Sequence, residues 1–152
     1  MVLQACKSLG ATAITVVDVM DKRLDLAKEL GASRTINGAK EDTVALLRSE
    51  ELFGDHGVEL VFECAGSTFT ANQAVQIVAR GGKIMMVGTQ SKPVPIAFLK
   101  INREVTIQTS FRYCNNYPQT IEAIRSGKFN VKDMVTHVYD YKDVQQAFMA
   151  YW

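Results

Sequence analysis

Residues 14–32, ITVVDVMDKRLDLAKELGA, join a continuous apolar and β-branched run to a helically spaced segment through a single carboxylate, Asp18. An uninterrupted run of this kind predicts a strand buried on both faces, and such strands belong to parallel sheets covered by helices. Leu24, Ala27 and Leu30 then recur at helical spacing, with an acid at the start of the segment and Gly31 at its end, so a helix follows the strand directly. The same exchange repeats along the chain. VLQACKSL reads as a helix ending at Gly10, RTIN as a short strand, and EDTVALLRSEEL as an amphipathic helix with Val44, Leu46 and Leu47 on one side. ELVFECAG reads as another buried strand, TFTANQAVQIVAR as a helix stopped by Gly81 and Gly82, and KIMMVG as the next strand.

Strand and helix alternate through residue 88, the pattern of an α/β, doubly wound parallel sheet. Beyond it, the two prolines of TQSKPVPIAFLKIN predict a loop with a short helical turn, and REVTIQTSFRY predicts a β-branched strand. YPQTIEAIRSGK reads as a helix with Pro118 near its first turn, and VTHVYDYKDVQQAFMAYW as a short strand and a last helix. At 152 residues and 47% apolar content the chain is one domain with enough material for a core.

Charge excludes some partners. The net charge is +1 with basic residues scattered, so there is no electrostatic footprint for nucleic acid or an anionic membrane; a small neutral-to-anionic ligand fits better. Cys6, Cys64 and Cys114 are odd in number and far apart, which argues against a disulfide framework and a zinc knuckle and predicts reduced thiols. Lys7 interrupts the short apolar stretch at the amino terminus, so no signal peptide is read there, and no run approaches membrane-spanning length; the cytoplasm is the expected location.

In a doubly wound sheet the ligand sits beyond the carboxyl ends of the strands. The residues there are Asp18; Cys64, Ala65 and Gly66; Val87, Gly88 and Thr89; and Phe111 to Asn115. Gly66 and Gly88 would let a ligand approach the backbone closely. An acid placed like Asp18 accepts hydrogen bonds from a ribose diol, about 20 residues beyond a glycine-rich phosphate loop. Counting back that far falls before Met1, so the fold's first strand and its GxGxxG turn are expected to be missing from these residues. Asp18 also suits a helix N-cap. Arg23 is equally open: it would lie over an adenosine, or pair in solvent with neighbouring acids. A carboxylate on the diol would repel a 2′-phosphate, which favours NAD over NADP. His56 reads as a solvated loop histidine, His137 as a strand residue, and Cys64 as a small hydrophobe at a strand end. With two histidines and no HxxxH or CxxC, no zinc site is expected in this chain.

SFRYCNNYP at 110–118, REV before it, ECAG at 63–66, GGKIMMVG at 81–88 and VKDMVTH at 131–137 together resemble the zinc-dependent medium-chain alcohol dehydrogenase superfamily. Within it the likeness is to the polyol branch, the sorbitol (L-iditol) and xylitol dehydrogenases, and it runs through essentially all 152 residues in order. The resemblance implies a Rossmann-like coenzyme domain lacking its first strand, with the GroES-like catalytic domain, the zinc ligands and the proton relay lying outside these residues. It implies NAD-dependent oxidation of a polyol's secondary hydroxyl to a ketose, with zinc in the parent enzyme as Lewis acid. By position, Asp18 and Arg23 would hold the adenosine ribose, and Cys64 and Ala65 would pass beneath the adenine side. Val87, Gly88 and Thr89 would meet the nicotinamide ribose. Ser110, Phe111 and Arg112 would line the nicotinamide pocket, and Arg112 and Tyr113 would face the polyol. Without the resemblance, that last segment reads as an edge strand with Arg112 exposed and Tyr113 and Cys114 packed.

In the strand order 3-2-1-4-5-6 the first strand is central, so its absence leaves open edges on the second and fourth strands. Such a chain is expected to be catalytically inactive alone and to oligomerise or aggregate. Two other functions are compatible with the pattern: a non-catalytic dinucleotide-fold module that acts through oligomerisation by residues 83–110, and a methyltransferase, which shares the fold but does not account for FRYCNNYP.

Overall fold

A computed structural model describes residues 1–49, 55–101 and 104–150. The elements in chain order are α1 Val2–Ser8, β1 Thr15–Asp18, α2 Asp21–Glu29, β2 Arg34–Asn37, α3 Thr43–Leu47 and β3 Val58–Glu63. They are followed by α4 Thr68–Ile77, β4 Val78–Met86, β5 Thr106–Thr109, α5 Tyr117–Arg125 and α6 Val144–Met149. Every ladder is parallel, as expected: β1 pairs with β2, and β3, β4 and β5 form a second sheet in that order. The register of the second sheet positions the site. Glu63 pairs with Met86 and Met86 with Thr109, so Cys64, Val87 and Ser110 begin their loops side by side.

Two apolar clusters hold the elements from β2 to β5. Ala74, Val75, Val78 and Ile84 form one, under Val61, Met86 and Ile107. Ile36, Leu47 and Ile77 form the other, again with Val61, and this cluster joins β2, α3, α4 and β3 and so ties the two sheets. Ile84 is 1% exposed, and burying a side chain of that size contributes about 1.5–3 kcal/mol. Arg48 adds a polar tie at the end of α4: its Nε donates to Gln76 O at 2.9 Å and its Nη2 to Val78 O at 3.2 Å. These carbonyls lie at the end of α4, where the helix leaves its last acceptors unpaired and the dipole favours a cation.

Several expectations are corrected. β1 and β3 are not buried on both faces: Val17 is 41% exposed and Leu60 47%. Each has a ladder on one edge only among the described residues, which is the open-edge arrangement anticipated for these two strands. α4 ends at Ile77, and Gly81 and Gly82 lie within β4 rather than after a helix. There the β3 ladder steps from Val58↔Val78 to Leu60↔Lys83, so residues 79–82 form a bulge that needs Gly81 at φ +63. β5 stops at Thr109: Ser110 N still donates to Met86 O at 2.9 Å, but Gly88 N turns back to Glu63 O at 2.9 Å and does not carry the ladder on. Residues 135–140 form no strand, since the segment finds no ladder partner among the described residues; Lys132–Met134 and Tyr141–Asp143 are 3₁₀ turns. The helix expected over EDTVALLRSEEL is seen as Thr43–Leu47, and residues 50–52 lie outside the described residues, as do 102–103 and 151–152.

Candidate coenzyme site

Asp18 ends β1 where the chain must turn into α2. Its Oδ1 accepts from Val19 N at 2.8 Å and Met20 N at 3.0 Å. The N-cap of α2 is Met20, so Asp18 closes the turn ahead of the helix and is not its cap. Oδ2 lies 3.6 Å from Arg23 Nη1, which brings the two predicted residues together; the Arg23 side chain remains largely in solvent. A second layer, which the sequence analysis did not single out, braces this turn. Asn37 Nδ2 donates to Asp21 Oδ1 at 2.6 Å, and Lys40 Nζ reaches Asp21 Oδ2 at 2.7 Å. The Lys40 hydrogen bond, and then the Asn37 amide, hold the Asp21 carboxyl below the usual aspartate range.

On the other sheet, Glu63 is the centre of the arrangement and is another residue that sequence reasoning missed. It is 3% exposed. Its Oε1 accepts from Ala65 N at 2.9 Å, Gly66 N at 2.9 Å and Thr70 Oγ1 at 2.7 Å. Its backbone oxygen accepts from Val87 N at 2.8 Å and Gly88 N at 2.9 Å. A carboxylate ending an apolar strand and followed by small residues, as in ECAG, was the only available signal. Gln90 adds a further tie: with its amide oriented to satisfy both ends, it donates to Gly66 O at 3.0 Å and accepts from Ser67 N at 3.2 Å.

Gly66 adopts φ +69, and a Cβ there would stand 2.6 Å from Thr89 O. The close approach that Gly66 and Gly88 permit is therefore between their own two loops. Cys64, Ala65, Val87 and Thr89 are exposed around this contact, so the structure gathers them, with Gly88, at one end of the sheet. Loss of hydration at the Cys64 sulfur, reinforced by the neighbouring Glu63 carboxylate, pushes its thiol pKa up. Ser110 joins the row by donating to Met86 O at 2.9 Å.

The segment after Ser110 is a turn and not the edge strand that the bare pattern suggested. Arg112 adopts φ +58, and its guanidinium carbon lies 5.0 Å from the Phe111 ring centroid. Phe111 is 75% exposed, and Tyr113 and Cys114 are exposed rather than packed. Tyr113 meets Tyr117 edge to face at 5.1 Å. Phe111, Arg112 and Tyr113 thus present aromatic faces and a guanidinium fork to the exterior. His56 lies in an exposed turn, and His137 is exposed with Nδ1 3.0 Å from Thr136 Oγ1.

Parallel strands with a carboxylate ending one sheet and a glycine-lined pair of loops ending the other define a Rossmann-like coenzyme-binding domain. The chain belongs to the zinc-binding dehydrogenase family, whose profile matches residues 1–126. It is 64% identical over 148 residues to a zinc-type alcohol dehydrogenase-like protein of Escherichia coli, covering 97% of this chain and 42% of that protein. It is 37% identical over 150 residues to sorbitol dehydrogenase of Bacillus subtilis, covering 97% and 42% respectively. A crystal structure of an Escherichia coli oxidoreductase superposes with a TM-score of 0.91 at 63% identity, over 97% of this chain and 42% of that one. The chain thus spans about 42% of the length of these relatives. No helix among the described residues is long and apolar enough to cross a membrane. Among the described residues, no group of three or more His, Cys, Asp or Glu side chains is placed to hold a metal ion.

Proposed function

We propose that the chain is the NAD-binding part of a zinc-dependent polyol dehydrogenase, whose GroES-like catalytic domain and zinc ligands belong to the longer protein. The observation that carries this reading is Asp18, a carboxylate at the end of β1 with one oxygen engaged by the turn and the other facing Arg23. That oxygen is suited to a ribose diol and opposed to a 2′-phosphate, which favours NAD over NADP. Arg23 would cover the adenosine, and Cys64 and Ala65 would border the adenine side. Val87, Gly88 and Thr89 would meet the nicotinamide ribose, with Ser110, Phe111 and Arg112 around the nicotinamide. NAD, when bound, supplies the hydride acceptor. Arg112 and Tyr113 would hydrogen-bond the polyol, using the guanidinium fork and the phenol that the turn exposes.

Titration with NADH and NADPH, followed by nicotinamide fluorescence, tests the coenzyme assignment. Saturable binding with NADH preferred supports it, and equal or tighter NADPH binding refutes the preference. Polyol-dependent NADH formation by the full-length protein tests the substrate class, with sorbitol and xylitol as the first probes. The open edges of β1 and β3 favour a second reading, in which copies of the chain assemble into a homo-oligomer without catalysis. Light scattering that shows assembly, together with no NADH response, would select it.

A further inference from the structure

We propose that Glu63 is a positioning residue that locks the β3 and β4 loops into the one arrangement able to receive the coenzyme; the inference rests on the coenzyme-binding reading above. A carboxylate 3% exposed is costly unless its oxygens are well supplied with donors. Here Oε1 takes three, from Ala65 N, Gly66 N and Thr70 Oγ1. Capping of α4 does not require this carboxylate, because Ser67 Oγ already accepts from Thr70 N at 3.1 Å. What Glu63 serves is the loop ahead of the helix.

The same residue reaches the neighbouring loop by two routes. Its backbone oxygen takes Val87 N and Gly88 N, and its Oε2 lies where only a glycine fits, 2.7 Å from the position a Gly88 Cβ would occupy. Side chain and main chain of one buried residue therefore set the separation of two loops whose outward residues, Cys64, Ala65, Val87 and Thr89, are exposed. Loops held in their bound shape before the ligand arrives spare it the ordering cost, so loosening them appears as lost affinity. Glu63 acts through these backbones and need not touch the ligand.

The test compares Glu63→Ala with Glu63→Gln, which retains an acceptor oxygen at the same reach. Glu63→Ala should weaken NADH binding about tenfold or more and accelerate amide hydrogen exchange at Ala65 and Gly66, with far-UV circular dichroism unchanged. Glu63→Gln should restore both to within about threefold. Folded Glu63→Ala protein with wild-type NADH affinity overturns the proposal, and so does Glu63→Gln protein as impaired as Glu63→Ala. Should Glu63→Ala fail to fold, Thr70→Val removes one of the three donors and should raise exchange at Ala65 and Gly66 and weaken NADH several-fold; no change in either overturns the proposal. A wild-type protein with no NADH response defeats the coenzyme reading alone: faster exchange at Ala65 and Gly66 in Glu63→Ala than in wild type would then still support the loop lock, and equal exchange in the two would overturn it.

Discussion

Gly66 and Gly88 are in backbone contact across the ends of β3 and β4, and a Cβ built on Gly88 would stand 2.7 Å from Gly66 Cα. Main chain cannot swing aside as a flexible side chain can, so Gly88→Ala must part the two loops. We expect it to lower stability by about 1–3 kcal/mol, the cost of overpacking a well-packed site. Urea denaturation measures this, and an unchanged midpoint would show that the loops yield freely. Gly66→Ala should do at least as much harm, since it adds a left-handed φ of +69 to a 2.6 Å approach to Thr89 O.

Asp18→Ala removes the carboxylate that ends β1. If that carboxylate holds the ribose diol, NADH affinity should fall about 10-fold to 100-fold, the loss expected for hydrogen bonds to a charged group. NADPH should lose much less, because the variant also removes the repulsion of a 2′-phosphate. Fluorescence titration with the two coenzymes reads the ratio, and equal losses would contradict the ribose assignment.

The Asp21 carboxyl is held below its usual range by Lys40 and then Asn37. A depressed folded pKa stabilises the fold above the unfolded value and loses that contribution as pH falls through the lower folded value, so the window lies below about pH 4. Asp21→Asn protein, which lacks the contribution at every pH, should therefore lose less thermal stability between about pH 5 and pH 3 than wild type. Parallel melting curves for the two proteins would count against the pairing.

Partial loss of hydration at the sulfur, then the Glu63 carboxylate, raises the Cys64 thiol pKa. Iodoacetamide should therefore modify Cys64 slowly near neutral pH, and several-fold faster in Glu63→Gln, because the thiolate is the reactive form and a neighbouring charge is removed. NADH should slow modification of Cys64 if the loop lies against the coenzyme. Peptide mass spectrometry at timed points resolves both effects, and rates indifferent to Glu63→Gln would show that the carboxylate does not reach the sulfur.

The alternation of apolar runs with helical spacing was enough to place β1, α2, β2, β3 and α5, because each is specified by neighbours two to four residues apart. Asp18 was legible for the same reason: a lone acid ending an apolar run is a local signal. Features that depend on distant partners were not. REVTIQTSFRY looks like strand throughout, yet the strand stops at Thr109, where Glu63 O of β3 takes Gly88 N away from the ladder. VTHVYD likewise has strand composition and no strand to pair with among the described residues.

Glu63 marks the boundary most clearly. The sequence alone determined that ELVFECAG would form a strand ending in small residues, and that α/β alternation would put that end where a ligand can bind; the pattern did not set Glu63 apart within it. Only the tertiary structure decided that this acid turns inward and is buried. Its parallel register with Met86 carries Val87 and Gly88 within reach of its backbone oxygen, while its side chain folds back on Ala65 and Gly66. The reason is physical: hydrophobic periodicity specifies which face of an element is buried, whereas a buried carboxylate is tolerated only where donors from separate segments converge on it.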